Sequence, residues 1–206
     1  MRTRVIVVSL IAILGLTGCA ADAPDDGTSA PPSSSTPSAT PSPTPTIVPA
    51  VIPTDCATLV DTATYEATFG DAPLNDPSIA AYYPLGVLQP TEIAVDAPIE
   101  DVMTAATQLR CLWRDPNADI TNLQVEIGTV DETLASGYLD GLALVGYTCD
   151  ETLDGRRCAI TRIEPQYQVE ESDTLFLRDD VLVHVSQDNF PTNNLLAAIV
   201  DGIWAA

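Results

Sequence analysis

Apolar positions divide the second half of the chain into helical stripes and alternating strands. Leu195, Leu196, Ile199, Val200, Ile203 and Trp204 recur at helical spacing and predict an amphipathic C-terminal helix, with Pro191 and Thr192 marking its start. A second helix is predicted from about Glu132 to Val145. Asp131 is its N-cap, Leu134, Tyr138, Leu139 and Leu142 form the stripe, and Gly146 ends it. A third covers Thr62 to Phe69, with Asp61 as cap and Gly70 as stop. A short fourth follows Asp96-Ala97-Pro98, from Ile99 to about Thr107.

Strict alternation marks the strands. Leu123, Val125 and Ile127 point one way and Asn122, Gln124 and Glu126 the other. In 109–114, Cys111 and Trp113 share one face, and Arg110, Leu112 and Arg114 the opposite one. Cys158 to Ile163 reads as a third strand. Thr174 to Arg178 and Val181 to Gln187 read as a hairpin turning at Asp179-Asp180, which sets His184 opposite Leu175. These elements predict an α+β fold: an antiparallel sheet of about five strands packed by three to four helices.

The first 53 residues follow a different pattern. Arg2 and Arg4 precede an uncharged run of 12 residues, Val5 to Leu16, and then Leu16-Thr17-Gly18-Cys19. The run is shorter than the ~20 residues a spanning helix needs. It resembles a bacterial lipoprotein signal, covering residues 1–18, in which Cys19 becomes the lipidated, palmitate-bearing first residue. Residues 19–53 then read as a disordered tether: from 20 to 53 there are nine prolines among serines and threonines. Residues 54–206 are the size of one domain. The expected location is the outer face of the cytoplasmic membrane, lipid-anchored and facing the cell wall.

Charge narrows the partners. The chain has no lysine; six of its eight arginines and all 29 carboxylates follow Cys19, leaving −23 on the mature chain. Such a surface repels nucleic acid and anionic headgroups. The expected partners are the membrane, through the lipid, and an envelope protein or wall polymer. No nucleic acid and no cofactor are expected.

Apart from Cys19, four cysteines remain, an even number that suggests two disulfides outside the cytoplasm. Three pairings exist. The favoured one joins Cys149 to Cys158 across a short polar loop, and Cys56 to Cys111 between the N-terminal helix region and the Trp113 strand. Zinc is the rival, but no Cys-x-x-Cys occurs and the single histidine, His184, lies far from every cysteine in sequence.

Cys56-Ala-Thr-Leu-Val, the capped helix ending at Phe69-Gly70, and Arg110-Cys111-Leu-Trp113-Arg114 together resemble actinobacterial cell-wall lipoproteins of unknown function. In that group an early cysteine before a short helix is matched by a Cys-x-Trp strand. This chain departs from the group at Val60, where leucine is usual, and in a long insert from Asp71 to Asp96. The group has no agreed activity, so the resemblance implies an envelope lipoprotein and no catalytic residue.

Candidate chemistry is sparse. Asp115, Asn117, Asp119 and Glu126 have the spacing of a calcium loop, but Ile120 stands where its glycine belongs, and a polar loop between strands is the favoured alternative. His184 lies between two valines and reads as a sheet histidine rather than a general base. Glu164, Glu170, Glu171 and Asp173 cluster in sequence and read as a solvated face. Trp113 and Trp204 read as core. The expected function is therefore a non-catalytic binding or interaction module. The alternative is an acidic envelope hydrolase using paired carboxylates. A pocket with two convergent carboxylates favours the hydrolase, and a shallow surface or apolar groove the binder.

Overall fold

A computed structural model describes residues 48–94 and 97–205. The signal segment, Cys19 and the tether up to residue 47 lie outside the described residues. A 3-10 turn, Cys56–Thr58, opens the fold and α1 follows at Thr62–Phe69, its Asp61 cap accepting from the Ala63 and Thr64 amides. The 71–96 insert contributes α2, Pro77–Ala80, and β1, Gly86–Val87. Then come α3 (Ile99–Ala106), β2 (Thr107–Trp113), β3 (Asn122–Thr129) and α4 (Glu132–Leu144). The chain finishes with β4 (Thr148–Thr152), β5 (Gly155–Ile163), β6 (Glu170–Arg178), β7 (Val181–Asp188) and α5 (Leu195–Ile203).

The strands form one antiparallel sheet in the order β1-β2-β3-β7-β6-β5-β4. The fold is α+β as expected, but among the described residues the sheet has seven strands, not about five, and there are five α-helices, not three or four. The reason is local. β1 is two residues long, too short to alternate, and it is recruited by β2. β4 is polar, Thr-Cys-Asp-Glu-Thr, and joins the edge because β5 supplies its hydrogen-bonding partners. α2 is a single turn nucleated by Asp76, whose side chain accepts from the Ser78 amide.

Period-2 alternation splits the sheet into two covered faces. One carries Leu109, Cys111 and Trp113, Leu123, Val125 and Ile127, Phe176, and Val181, Val183 and Val185. The 3-10 turn, α1 and α5 close it. Trp113 stacks on Phe69 with centroids 3.9 Å apart, and its indole N–H donates to the Tyr65 hydroxyl at 3.1 Å. Trp204 is likewise buried. The opposite face carries Cys158, Leu175, Leu177 and Leu182 under Ala135, Leu139 and Leu142 of α4.

Both favoured disulfides form. Cys56–Cys111 pins the 3-10 turn to β2, and Cys149–Cys158 joins directly opposed residues of β4 and β5.

The last residues assigned to the tether join the domain. Ala50 and Ile52 pack against the first core, and the Val51 amide donates to the Ile203 carbonyl at 2.8 Å. A chain starting at Pro53 is therefore expected to melt about 2–6 °C below one starting at Val48, from roughly 1–2 kcal/mol of lost burial and hydrogen bonding. Equal melting temperatures in a calorimetric scan would show that this contact contributes nothing.

Candidate functional site

The α3–α4 face of the sheet is mostly apolar toward its β5–β6 end. Toward β2 it carries a row of charges. Register sets Arg110 on β2 opposite Glu126 on β3, and Glu126 opposite His184 on β7. Leu175 of β6 faces His184, and Asp173, two residues back on the same face, reaches the imidazole diagonally. Four adjacent strands thus contribute alternating positive and negative side chains to one continuous row.

The contacts are direct. Arg110 Nε donates to Glu126 Oε1. Glu126 Oε2 lies 3.3 Å from His184 Nδ1, and Asp173 Oδ1 lies 2.6 Å from His184 Nε2. The Tyr147 hydroxyl, between α4 and β4, donates to the other Asp173 oxygen at 2.5 Å. At the opposite end the insert closes the row. The Tyr83 ring covers the Arg110 guanidinium at 4.5 Å, and the Pro84 carbonyl accepts from its Nη1 at 3.2 Å. Arg110 and Glu126 keep only 6% and 15% of their side-chain surface exposed, so this pair is shielded from water.

Electrostatics follow from the geometry. Burial opposes the charge on His184, but hydrogen bonds to Asp173 and then Glu126 outweigh it and push the imidazole up to about 9. Burial likewise opposes ionisation of both carboxyls. The His184 hydrogen bond and the neighbouring cations prevail, holding Glu126 and Asp173 below the usual carboxylate range. Burial, and donation to an ionised Asp173, lift Tyr147 far above the ordinary phenol value. At neutral pH the row is Arg⁺, Glu⁻, His⁺, Asp⁻, with both imidazole nitrogens donating.

That state makes a pH prediction. Folded His184 binds its proton more tightly than unfolded histidine, so its stabilisation is complete below about pH 6.5 and is lost as pH rises through about 9. With 31% of the side chain exposed, screening reduces the effect to roughly 1–2 kcal/mol. Urea midpoints should fall between pH 6.5 and 9 in the wild type, and this fall should flatten in His184→Gln. Identical slopes would show that His184 titrates alike in both states.

The row forms the floor of a cavity of about 250 Å³. Glu126, His184 and Asp173 meet Glu100, Met103 and Thr104 of α3 and Tyr138 of α4 there, with Val130, Leu175 and Leu182 as apolar walls. Gly128 sets the roof height. A Cβ at that position would stand 2.3 Å from the Ala106 carbonyl oxygen, so only glycine lets the end of α3 lie on β3. A broader groove of about 780 Å³ between α1 and α5 is lined mainly by alanine, threonine and asparagine, and no ion pair among the described residues lies in it.

The structure disperses the proposed calcium ligands. Asp115 accepts from the Asn117 amide at 2.8 Å in a turn after β2, whereas Glu126 lies in β3, held by Arg110 and His184. Among the described residues no three His, Cys, Asp or Glu side chains group as metal ligands. The acidic stretch also separates. Glu164 caps a turn through the Gln166 and Tyr167 amides, Glu171 pairs with Arg162 at 3.4 Å, and Asp173 alone enters the row. Arg110, Tyr83, Tyr147 and the pairing of His184 escape a reading of the sequence. The only signal was that Arg110 and Glu126 fall on the strand faces opposite Trp113 and Ile127; nothing local says that helices cover those faces.

The chain matches no protein-family model and no curated protein.

Proposed function

We propose that this chain is a lipid-anchored protein of the outer face of the cytoplasmic membrane, and that its domain is a non-catalytic binding module centred on the α3–α4 pocket. The Leu16–Cys19 box, the proline-rich tether and the paired cysteines support the address. The resemblance to actinobacterial cell-wall lipoproteins points the same way. Its partner is an envelope protein, a wall polymer or a small ligand.

One observation carries the reading. The pocket floor holds two carboxylates, as a hydrolase would, but both converge on His184 rather than on open space. A paired-carboxylate hydrolase needs one carboxyl that keeps its proton near neutral pH. Here Glu126 and Asp173 are both held ionised. A histidine base needs a free, neutral nitrogen, and both nitrogens of His184 are engaged. The four charges of the row hold one another in place, which suits a preorganised binding floor better than proton transfer.

The test has two arms. Cys19→Ala should leave the membrane fraction or remain unprocessed; unchanged processing and anchoring would refute the lipid attachment. The purified protein, screened against wall glycans, peptidoglycan fragments, esters and phosphoesters, should turn over none. Turnover that survives His184→Ala but is lost in Glu126→Gln or Asp173→Asn would establish the acid-pair hydrolase instead.

A further inference from the structure

Resting on the binding reading, we infer that the α3–α4 pocket selects a small primary amine with a compact apolar body. Its lining is unbalanced in charge. Glu100, Glu126 and Asp173 face one imidazolium, His184. Counting Arg110 behind Glu126 still leaves an excess of one negative charge. Glu100 stands at the exposed mouth on the first turn of α3, and no ion pair among the described residues involves it. Beside Thr104 and Gly128, the remaining wall is Met103, Val130, Tyr138, Leu175 and Leu182, mostly a surface for hydrocarbon.

The hydrogen-bonding inventory selects further. Each carboxylate oxygen has two lone pairs. Glu126 Oε2 and Asp173 Oδ1 each serve His184, and Asp173 Oδ2 serves Tyr147, so each of these oxygens, on residues that line the pocket, retains acceptor capacity. The floor offers spare acceptors and only donors already in use. An ammonium group, with three N–H donors and a positive charge, satisfies those acceptors and neutralises the excess. An alcohol supplies one donor and no charge; a carboxylate ligand adds like charge. At about 30 Å³ per water-sized group, 250 Å³ takes roughly eight non-hydrogen atoms.

Benzylamine, benzyl alcohol and benzoate are matched probes of that size. They would be titrated into the full mature chain at pH 7, by calorimetry and by NMR of the Met103 methyl and Tyr138 ring. Benzylammonium should bind about ten-fold tighter than the alcohol and shift both signals, as a charge-assisted hydrogen bond in a half-buried site implies. Benzoate should not bind. Glu100→Gln, at an exposed unpaired position, should weaken benzylammonium about three-fold, weaken the alcohol less than the amine, and leave the melting temperature unchanged. Equal affinity for amine and alcohol would overturn the amine inference and leave a binding pocket standing. Absence of amine binding, or binding that moves neither Met103 nor Tyr138, would also overturn it. Substrate turnover in the hydrolase screen would instead remove the binding reading on which it rests.

Discussion

Replacing Arg110 with methionine is expected to destabilise the domain by roughly 3–5 kcal/mol, because it leaves a shielded carboxylate without its closer cation. Arg110 is 6% exposed, donates to Glu126 and to the Pro84 carbonyl, and lies under the Tyr83 ring. Methionine keeps much of the volume but none of the donors. Glu126 then retains His184, at 3.3 Å, as its cation. The urea midpoint should fall sharply, and the melting temperature by about 6–15 °C for a domain of this size. Arg110→Met combined with Glu126→Gln should recover part of the loss, since the orphaned charge is gone. A single-variant loss below about 1 kcal/mol would show that water reaches the pair.

Removing the Cys56–Cys111 disulfide as a double alanine variant is expected to cost about 4 kcal/mol. The bridge spans 55 residues of sequence, and a loop of that length limits the unfolded chain strongly. Both cysteines are buried against the Trp113 core, at 3% and 0% exposure, so cavity formation adds to the entropic loss. The same change at Cys149 and Cys158, nine residues apart, should cost about 2.5 kcal/mol by the same model. Comparing the two double variants by urea unfolding decides the ranking. A larger loss at the 149–158 bridge would mean that its edge hairpin depends on the cross-link more than loop entropy allows.

These expectations concern opposite faces of one sheet. The disulfide secures the 3-10 turn against the core of the first face, while Arg110 anchors the charged row on the second. β2 carries both, with Cys111 and Arg110 as consecutive residues pointing in opposite directions. The 71–96 insert is tied to this strand as well: Leu74 bridges Trp113, the Asn75 amide donates to the Leu112 carbonyl, and Tyr83 covers Arg110. The same insert therefore shields the row's positive end, through Tyr83 and the Pro84 carbonyl.

Local sequence determined the elements whose signals are local. Asp61 and Asp131 cap α1 and α4 because a carboxylate two or three residues before a free amide needs no distant partner. α5 follows from one apolar stripe, although it starts at Leu195, after Asn194 in a left-handed conformation, rather than nearer Pro191. The β6–β7 hairpin, with His184 opposite Leu175, follows from alternation about a two-residue turn. The cysteine count and spacing were enough to favour both disulfides.

Tertiary structure alone decided the site. Alternation says that Glu126 and Arg110 leave the Trp113 core; it does not say whether water or helices meet them. α3 and α4 cover that face, Gly128 lets α3 approach, and strand order sets β3 beside β7 across more than 50 residues of sequence. Only then do Glu126 and Asp173, which read locally as a calcium ligand and a solvated acid, become the two arms that hold His184. Charge pairing depends on distance in space, and the register of strands remote in sequence creates that distance.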